Sequence, residues 1–223
     1  MSTVVAEKAM RFYDSTIGKK AVMAVTGLIL FGFLIAHMLG NLQIFIGQET
    51  MNHYAETLHG NPALLWGARF VLGISVLLHI WAWLQLAKIK HAARPVAYVK
   101  PGNVQAGIGS RTMSLSGPII AAFVIFHLLN LTTGTIHPRF VELHAYENLV
   151  NNFTIIPISL IYIVCMLLIG THLSHGIWSM FQSVGFSHPR YTPMIKKFAA
   201  VFSWILVGGF IAVPVSVMLG LVK

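Results

Sequence analysis

The chain has 223 residues, 56% of them hydrophobic and 9% charged, with a mean hydropathy of +0.74. A soluble domain carries roughly a quarter charged residues, so a water-soluble globule is excluded and an integral membrane protein is expected. The formal net charge of +9 comes from 15 Lys and Arg against 6 Asp and Glu; these basic residues lie between apolar runs, which assigns them to membrane topology and not to nucleic acid.

In chain order, Met1–Lys20 holds no apolar core, so no signal peptide is expected there. Apolar segments long enough to cross a bilayer follow at about 21–46, 63–87, 113–135, 153–180 and 198–222. Short loops join them, with no soluble domain and no legible repeat. The expected fold is an all-α bundle of five transmembrane helices forming one domain over 1–223. The single cysteine, Cys165, lies mid-span and excludes an intramolecular disulfide framework.

Lys8, Arg11, Lys19 and Lys20 precede the first span. Lys88, Lys90, Arg94, Lys100 and Arg111 follow the second, and Arg190, Lys196 and Lys197 follow the fourth. The loop from Gly47 to Pro62 has neither Lys nor Arg, and the third loop has only Arg139. The positive-inside rule then places the N-terminus in the cytoplasm and the C-terminus outside. The six acids, Glu7, Asp14, Glu49, Glu56, Glu142 and Glu147, all fall outside the spans. That argues against a carboxylate-driven pump or transporter, which needs Asp or Glu within the bilayer.

Histidines do enter the spans: His37 in the first, His79 in the second, His127 in the third, His172 and His175 in the fourth. Depth follows from the ~1.5 Å rise per residue and the alternating direction of the helices. His37 and His127 fall together in the outer half, His79 and His172 in the inner half. Paired imidazoles on facing helices suit bis-histidine haem b, whose iron takes two axial nitrogens. Zinc wants three or four ligands around one point. Two haem b groups are therefore expected, on His37 with His127 and on His79 with His172, leaving an electron path between the membrane faces. Gly27, Gly32, Gly40, Gly73, Gly117 and Gly176 would leave room for the porphyrins.

In "THLSHGIWS", Thr171–Ser179, the second histidine lies one turn nearer the cytoplasmic interface than the first. His175 is expected to contact a haem propionate or to sit at the interface. The non-ligating nitrogen of His172 needs a hydrogen bond, for which Ser174, Thr171 or a backbone carbonyl one turn back are candidates.

The segments "TGLILFGFLIAHMLGN", "LLHIWAW", "FVIFHLLN" and "THLSHGIWSMFQSVG", one ligand on each of the first four spans, resemble the dihaem cytochrome b subunit (b558 type) of succinate dehydrogenases and fumarate reductases. The resemblance covers essentially the whole chain and carries the same pairing of helices. It implies an electron-transfer subunit anchoring a flavoprotein subunit with FAD and an iron–sulfur subunit, reducing menaquinone or ubiquinone in the bacterial cytoplasmic (inner) membrane.

Quinone chemistry needs hydrogen-bond donors and a proton source. Candidates near the outer pair are Asn41, Gln43 and Asn130, with His53, Glu56 and His59 in the outer loop. Arg69 is the fixed charge well inside a span, a candidate for a haem propionate, a quinone oxygen or the headgroups. Some family members carry an ionisable acid near the fourth-helix ligand, where this chain reads "LLIGTH". Competing readings are a haem b subunit of a hydrogenase or formate dehydrogenase, or a cofactor-free transporter that uses histidines.

Overall fold

The computed structural model describes residues 12–93, 96 and 106–223; Glu7, Lys8, Arg11, Arg94 and Lys100 lie outside them. The described residues are helical, with no strand among them. The long helices are α1 (Thr16–Leu42), α3 (Pro62–Ala92), α4 (Ile108–His127), α6 (Ile156–Ser183) and α7 (Thr192–Met218). With the short turns that continue α1 and α4, these five are long and apolar enough to cross a membrane. The chain thus fits a multi-pass membrane protein.

Helix starts are written locally. Ser15 Oγ accepts from Gly18 N at 2.9 Å ahead of α1. Asn61 Oδ1 accepts from Leu64 N at 3.1 Å ahead of α3, whose first residue is Pro62. These side chains satisfy amides that a helix start leaves free, and proline there costs no hydrogen bond. At the same end of α1 the ammonium of Lys19 folds back onto the carbonyls of Tyr13 and Asp14, at 2.9 and 2.7 Å.

Two of the loops are not merely short connections. The first contains α2 (Gln48–His59) and the third contains α5 (Ala145–Phe153), both too short to cross a bilayer. The chain therefore repeats one plan: long, short, long for α1–α2–α3, and again for α4–α5–α6, with α7 added. α1 packs on α3, and α4 on α6. The two units join where α1 meets α6 and where α2 meets α5, while α7 packs on α6 and α1. The α2–α5 contact closes one end of the bundle, called here the capped end.

The cap is polar. Asn52 Nδ2 donates to Glu147 at 2.9 Å and Asn52 Oδ1 accepts from Tyr146 N at 2.9 Å; Gln48 also donates to Glu147. Partial burial pushes the Glu147 carboxyl up. Hydrogen bonds from Asn52, its own backbone N–H and His144 outweigh this and hold it below the usual carboxylate range. Asn148 brackets Val141 through both backbone groups, and buried His137 lies 3.0 Å from the Asn148 carbonyl.

The densest packing lies between α6 and α7, where Ile169, Leu173, Ile177, Ala199, Leu206 and Val207 are buried. In lipid such contacts gain from close fit, since the surroundings are as apolar as the side chains. Phe70 (70% exposed) and Leu77 (68%) on α3 point out of the bundle, as lipid-facing side chains do.

Candidate functional site

The four mid-bundle histidines meet as two pairs. His37 on α1 and His127, the last residue of α4, have ring centres 5.7 Å apart with planes at 81°. His79 on α3 and His172 on α6 have ring centres 6.5 Å apart with planes at 52°. Two imidazoles on opposite sides of one metal, with bonds of ~2 Å, put their ring centres roughly 6 Å apart. Both pairs meet that spacing, so each could hold one metal, such as a haem iron, through one nitrogen of each ring.

Three of the four rings are held from behind by a hydroxyl on another helix. His79 Nδ1 lies 3.1 Å from Thr26 Oγ1, His172 Nδ1 lies 3.3 Å from Ser116 Oγ, and His127 Nδ1 lies 3.3 Å from Tyr162 OH. For Thr26 the direction of the bond follows from its other contact. Its hydroxyl proton goes to the Val22 carbonyl at 2.8 Å, so the oxygen is left to accept. His79 therefore carries its proton on Nδ1, and Nε2 presents a lone pair. This is the tautomer a metal ligand requires. His37 is held by rings instead: Phe33 stacks on it at 5.2 Å and Phe210 lies tilted at 5.8 Å.

The hydroxyl behind His172 corrects the local expectation. Ser174 Oγ donates to the Thr171 carbonyl and Thr171 Oγ1 to the Leu168 carbonyl, both at 2.9 Å. Inside a helix these side chains satisfy their own backbone. The group that reaches the ring, Ser116, comes from α4.

Ser116 and Thr26 also expose a repeat that the sequence reading missed. Thr26 stands eleven residues before His37, and Ser116 eleven before His127. Eleven residues are close to three helical turns, so each hydroxyl shares a face with its histidine. "TGLILFGFLIAH" and "SGPIIAAFVIFH" carry Gly, Ile, Phe, Ile and His at the same offsets after Thr or Ser. Each of α1 and α4 thus supplies one histidine to the pair near the cap and, three turns away, one hydroxyl to the other pair.

A side chain added at Gly32, Gly73, Gly117 or Gly176 would meet nothing within 4 Å, and one at Gly27 would meet the His79 ring at 3.5 Å. Gly40 serves otherwise. A Cβ there would come 3.0 Å from the Tyr54 ring, so its bareness seats α2 against α1. His175 joins neither pair; its ring lies 6.5 Å from that of Trp178, over which the Lys196 ammonium sits at 4.3 Å.

The expected quinone-site residues are dispersed. Asn41 donates to the His37 carbonyl at 2.8 Å, and Gln43 is half-buried in the turn Gln43–Phe45. Glu56 and His53 lie on the exposed face of α2, 3.9 Å apart, and His59 turns back to the Ala55 carbonyl at 2.8 Å. Arg69 stacks over Trp66 of its own helix, 4.9 Å from the ring centre. Asn130 is fully buried in a π-turn, Leu128–Thr132, directly after His127. It donates to Asn152 at 2.8 Å and to Tyr162 OH at 3.2 Å. π-turns recur at functional sites.

No protein-family model, curated protein or solved structure matches the chain. Function has to be read from the site itself.

Proposed function

We propose that this chain is the dihaem cytochrome b membrane subunit of a succinate:quinone oxidoreductase, carrying electrons from an iron–sulfur subunit to a membrane quinone. The observation that carries the reading is the two cross-helix histidine pairs, each spaced for one six-coordinate metal, with the Nδ1 atoms of three rings against hydroxyls. His37 and His127 would hold one haem b, His79 and His172 the other. Bound haem would supply a one-electron carrier at each pair.

The chain's own contribution is to orient, space and shield. Thr26, Ser116 and Tyr162 turn three rings so that Nε2 faces the gap. Phe33 and Phe210 keep water from His37. Along α1, the eleven residues from Thr26 to His37 set the two sites roughly 16 Å apart across the membrane.

The Lys and Arg distribution supports the capped end as the outer face and the opposite end as cytoplasmic. The FAD-containing flavoprotein and the iron–sulfur subunit would dock at the cytoplasmic end, in a bacterial inner membrane. Menaquinone or ubiquinone would react near the cap. Asn41, Gln43, Glu56 and Arg69 are the polar groups at hand there, and His175 with Lys196 forms the basic group at the other end for a propionate.

The test is purification of the full chain from its native membrane with whatever accompanies it. Two haems b per chain, a bis-histidine spectrum and co-purifying flavoprotein and iron–sulfur subunits are expected. Haem with a hydrogenase or formate dehydrogenase subunit would change the partner and keep the cofactor. A haem-free preparation would overturn the reading and leave the histidine-using transporter.

A further inference from the structure

Tyr162, Asn130 and Asn152 form a buried chain of polar groups behind His127. Asn130 and Asn152 are both 0% exposed and Tyr162 is 6% exposed. Phe123 and Phe153 meet the Tyr162 ring edge-on, each with ring centres 5.0 Å away. Burying two amides here is costly unless they have work to do. Each still has an unpartnered atom, Asn130 Oδ1 and Asn152 Nδ2.

As placed, Asn130 Nδ2 spends both protons, one on Asn152 Oδ1 at 2.8 Å and one on Tyr162 OH at 3.2 Å. The Tyr162 proton then has His127 Nδ1, at 3.3 Å, as its partner. In that sense Nδ1 accepts, the imidazole proton sits on Nε2, and His127 has no lone pair facing His37. Turning both amides over exchanges only the positions of their nitrogen and oxygen and reverses each of the three bonds. Asn152 then donates to Asn130, Tyr162 donates to Asn130, and His127 Nδ1 donates to Tyr162. Each sense makes three hydrogen bonds and leaves one unpartnered atom on each amide. The bond count is the same in both, and a group taking the Nε2 lone pair selects the second.

We propose that Tyr162, Asn130 and Asn152 are a two-state positioning relay that selects the nitrogen His127 presents, the cofactor-binding sense being the one in which His127 donates to Tyr162 and Asn130 accepts from both Tyr162 and Asn152. The inference rests on the haem reading above and adds to it three residues that would act through His127. It separates the two ligands of this pair, since His37 is packed by rings and His127 is set by hydrogen bonds. It also explains why the amide after His127 is buried in a π-turn, whereas Asn41 after His37 serves its own helix.

The experiment uses the full chain with its partner subunits, with haem content, redox titration and low-spin electron paramagnetic resonance as readouts. Tyr162→Phe removes the acceptor that makes His127 a more basic ligand. Both haems should remain, with the His37–His127 haem shifted to higher potential and altered in its resonance signal, and the other haem unchanged. Asn130→Leu leaves Tyr162 nowhere to donate except His127 Nδ1, so the more distant change should do greater harm, with that haem partly or wholly lost. Combining it with Tyr162→Phe should restore occupancy, because the misdirected proton is gone.

Two haems in the wild type with an unaltered centre in Tyr162→Phe would overturn the relay and leave the haem reading standing. So would an Asn130→Leu haem loss that Tyr162→Phe fails to rescue. A wild-type protein without haem would overturn the reading itself. The second haem reports folding in every variant.

Discussion

Thr26 accepts a hydrogen bond from His79 across the α1–α3 interface, at 3.1 Å, because its own proton is already committed to the Val22 carbonyl. A threonine that satisfies its backbone in this way is a fixed acceptor, which suits it to hold one tautomer of a neighbouring ring.

Thr26→Val keeps the shape and removes the acceptor. The expected result is a ~10–100-fold weaker hold on the haem of the His79–His172 pair, with the other haem intact. Thr26→Ser should behave as wild type. Haem content after dialysis against a haem-binding competitor measures this, and equal retention in Thr26→Val would refute the role.

Because His37 and His127 come from different units yet meet at 5.7 Å, their alanine variants should be equivalent. Each should lose one and the same haem in redox titration. His79→Ala and His172→Ala should lose the other. Two mutants of a pair losing different haems would show that the pairing is wrong.

His172 and His175 should part company. On the proposed reading, His172→Ala should abolish the haem that it would share with His79 and block electron entry from the proposed iron–sulfur subunit. His175→Asn should keep both haems and most activity, since His175 lies against Trp178 and Lys196 and outside the pair. The reverse outcome would move the ligand one turn along α6.

Glu147 gives the cap a pH dependence. Its carboxyl titrates below its unfolded value, so the tie to Asn52 and Gln48 is at full strength above the ordinary Glu range, about pH 4.3. It weakens as pH falls through the lowered folded value. Hydrogen exchange of α2 should therefore speed up in acid, and Glu147→Gln should flatten that dependence. Exchange that is insensitive to acid in the native chain would refute it.

The long apolar runs read directly as spans, and the depth of each histidine along its helix sufficed to pair them. α2 was missed because "QETMNHYAETLH" has no apolar length to distinguish a helix from a polar loop, and the same holds for "AYENLVNNF" in α5. The hydroxyl partners were missed for a different reason. Residues near His172 in sequence were weighed, but within a helix Ser174 and Thr171 serve their own carbonyls, and the working contact crosses to Ser116 of another helix. The eleven-residue spacing of Thr26 to His37 and Ser116 to His127 was visible in the text of the chain. Seeing it required aligning the first span with the third, which apolar composition alone does not suggest. Asn130 was weighed only as a quinone-site residue and Asn152 and Tyr162 were not singled out, because it takes the π-turn and the α6 packing to bring the three together.

The repeat of long, short and long helices has a consequence for how the protein is made. Each histidine pair draws one ring from α1–α3 and the other from α4–α6, so neither unit alone can grip a cofactor with both ligands. During synthesis both histidines of the pair near the cap are present once α4 enters the membrane, and those of the other only when α6 follows. At ~5–20 residues per second, a few seconds separate the two events. The order in which the two histidine pairs can come together is thus set by the order in which the helices leave the ribosome. A chain stopped after α4 would hold both histidines of one pair, still without the Tyr162 and Asn152 that stand behind His127.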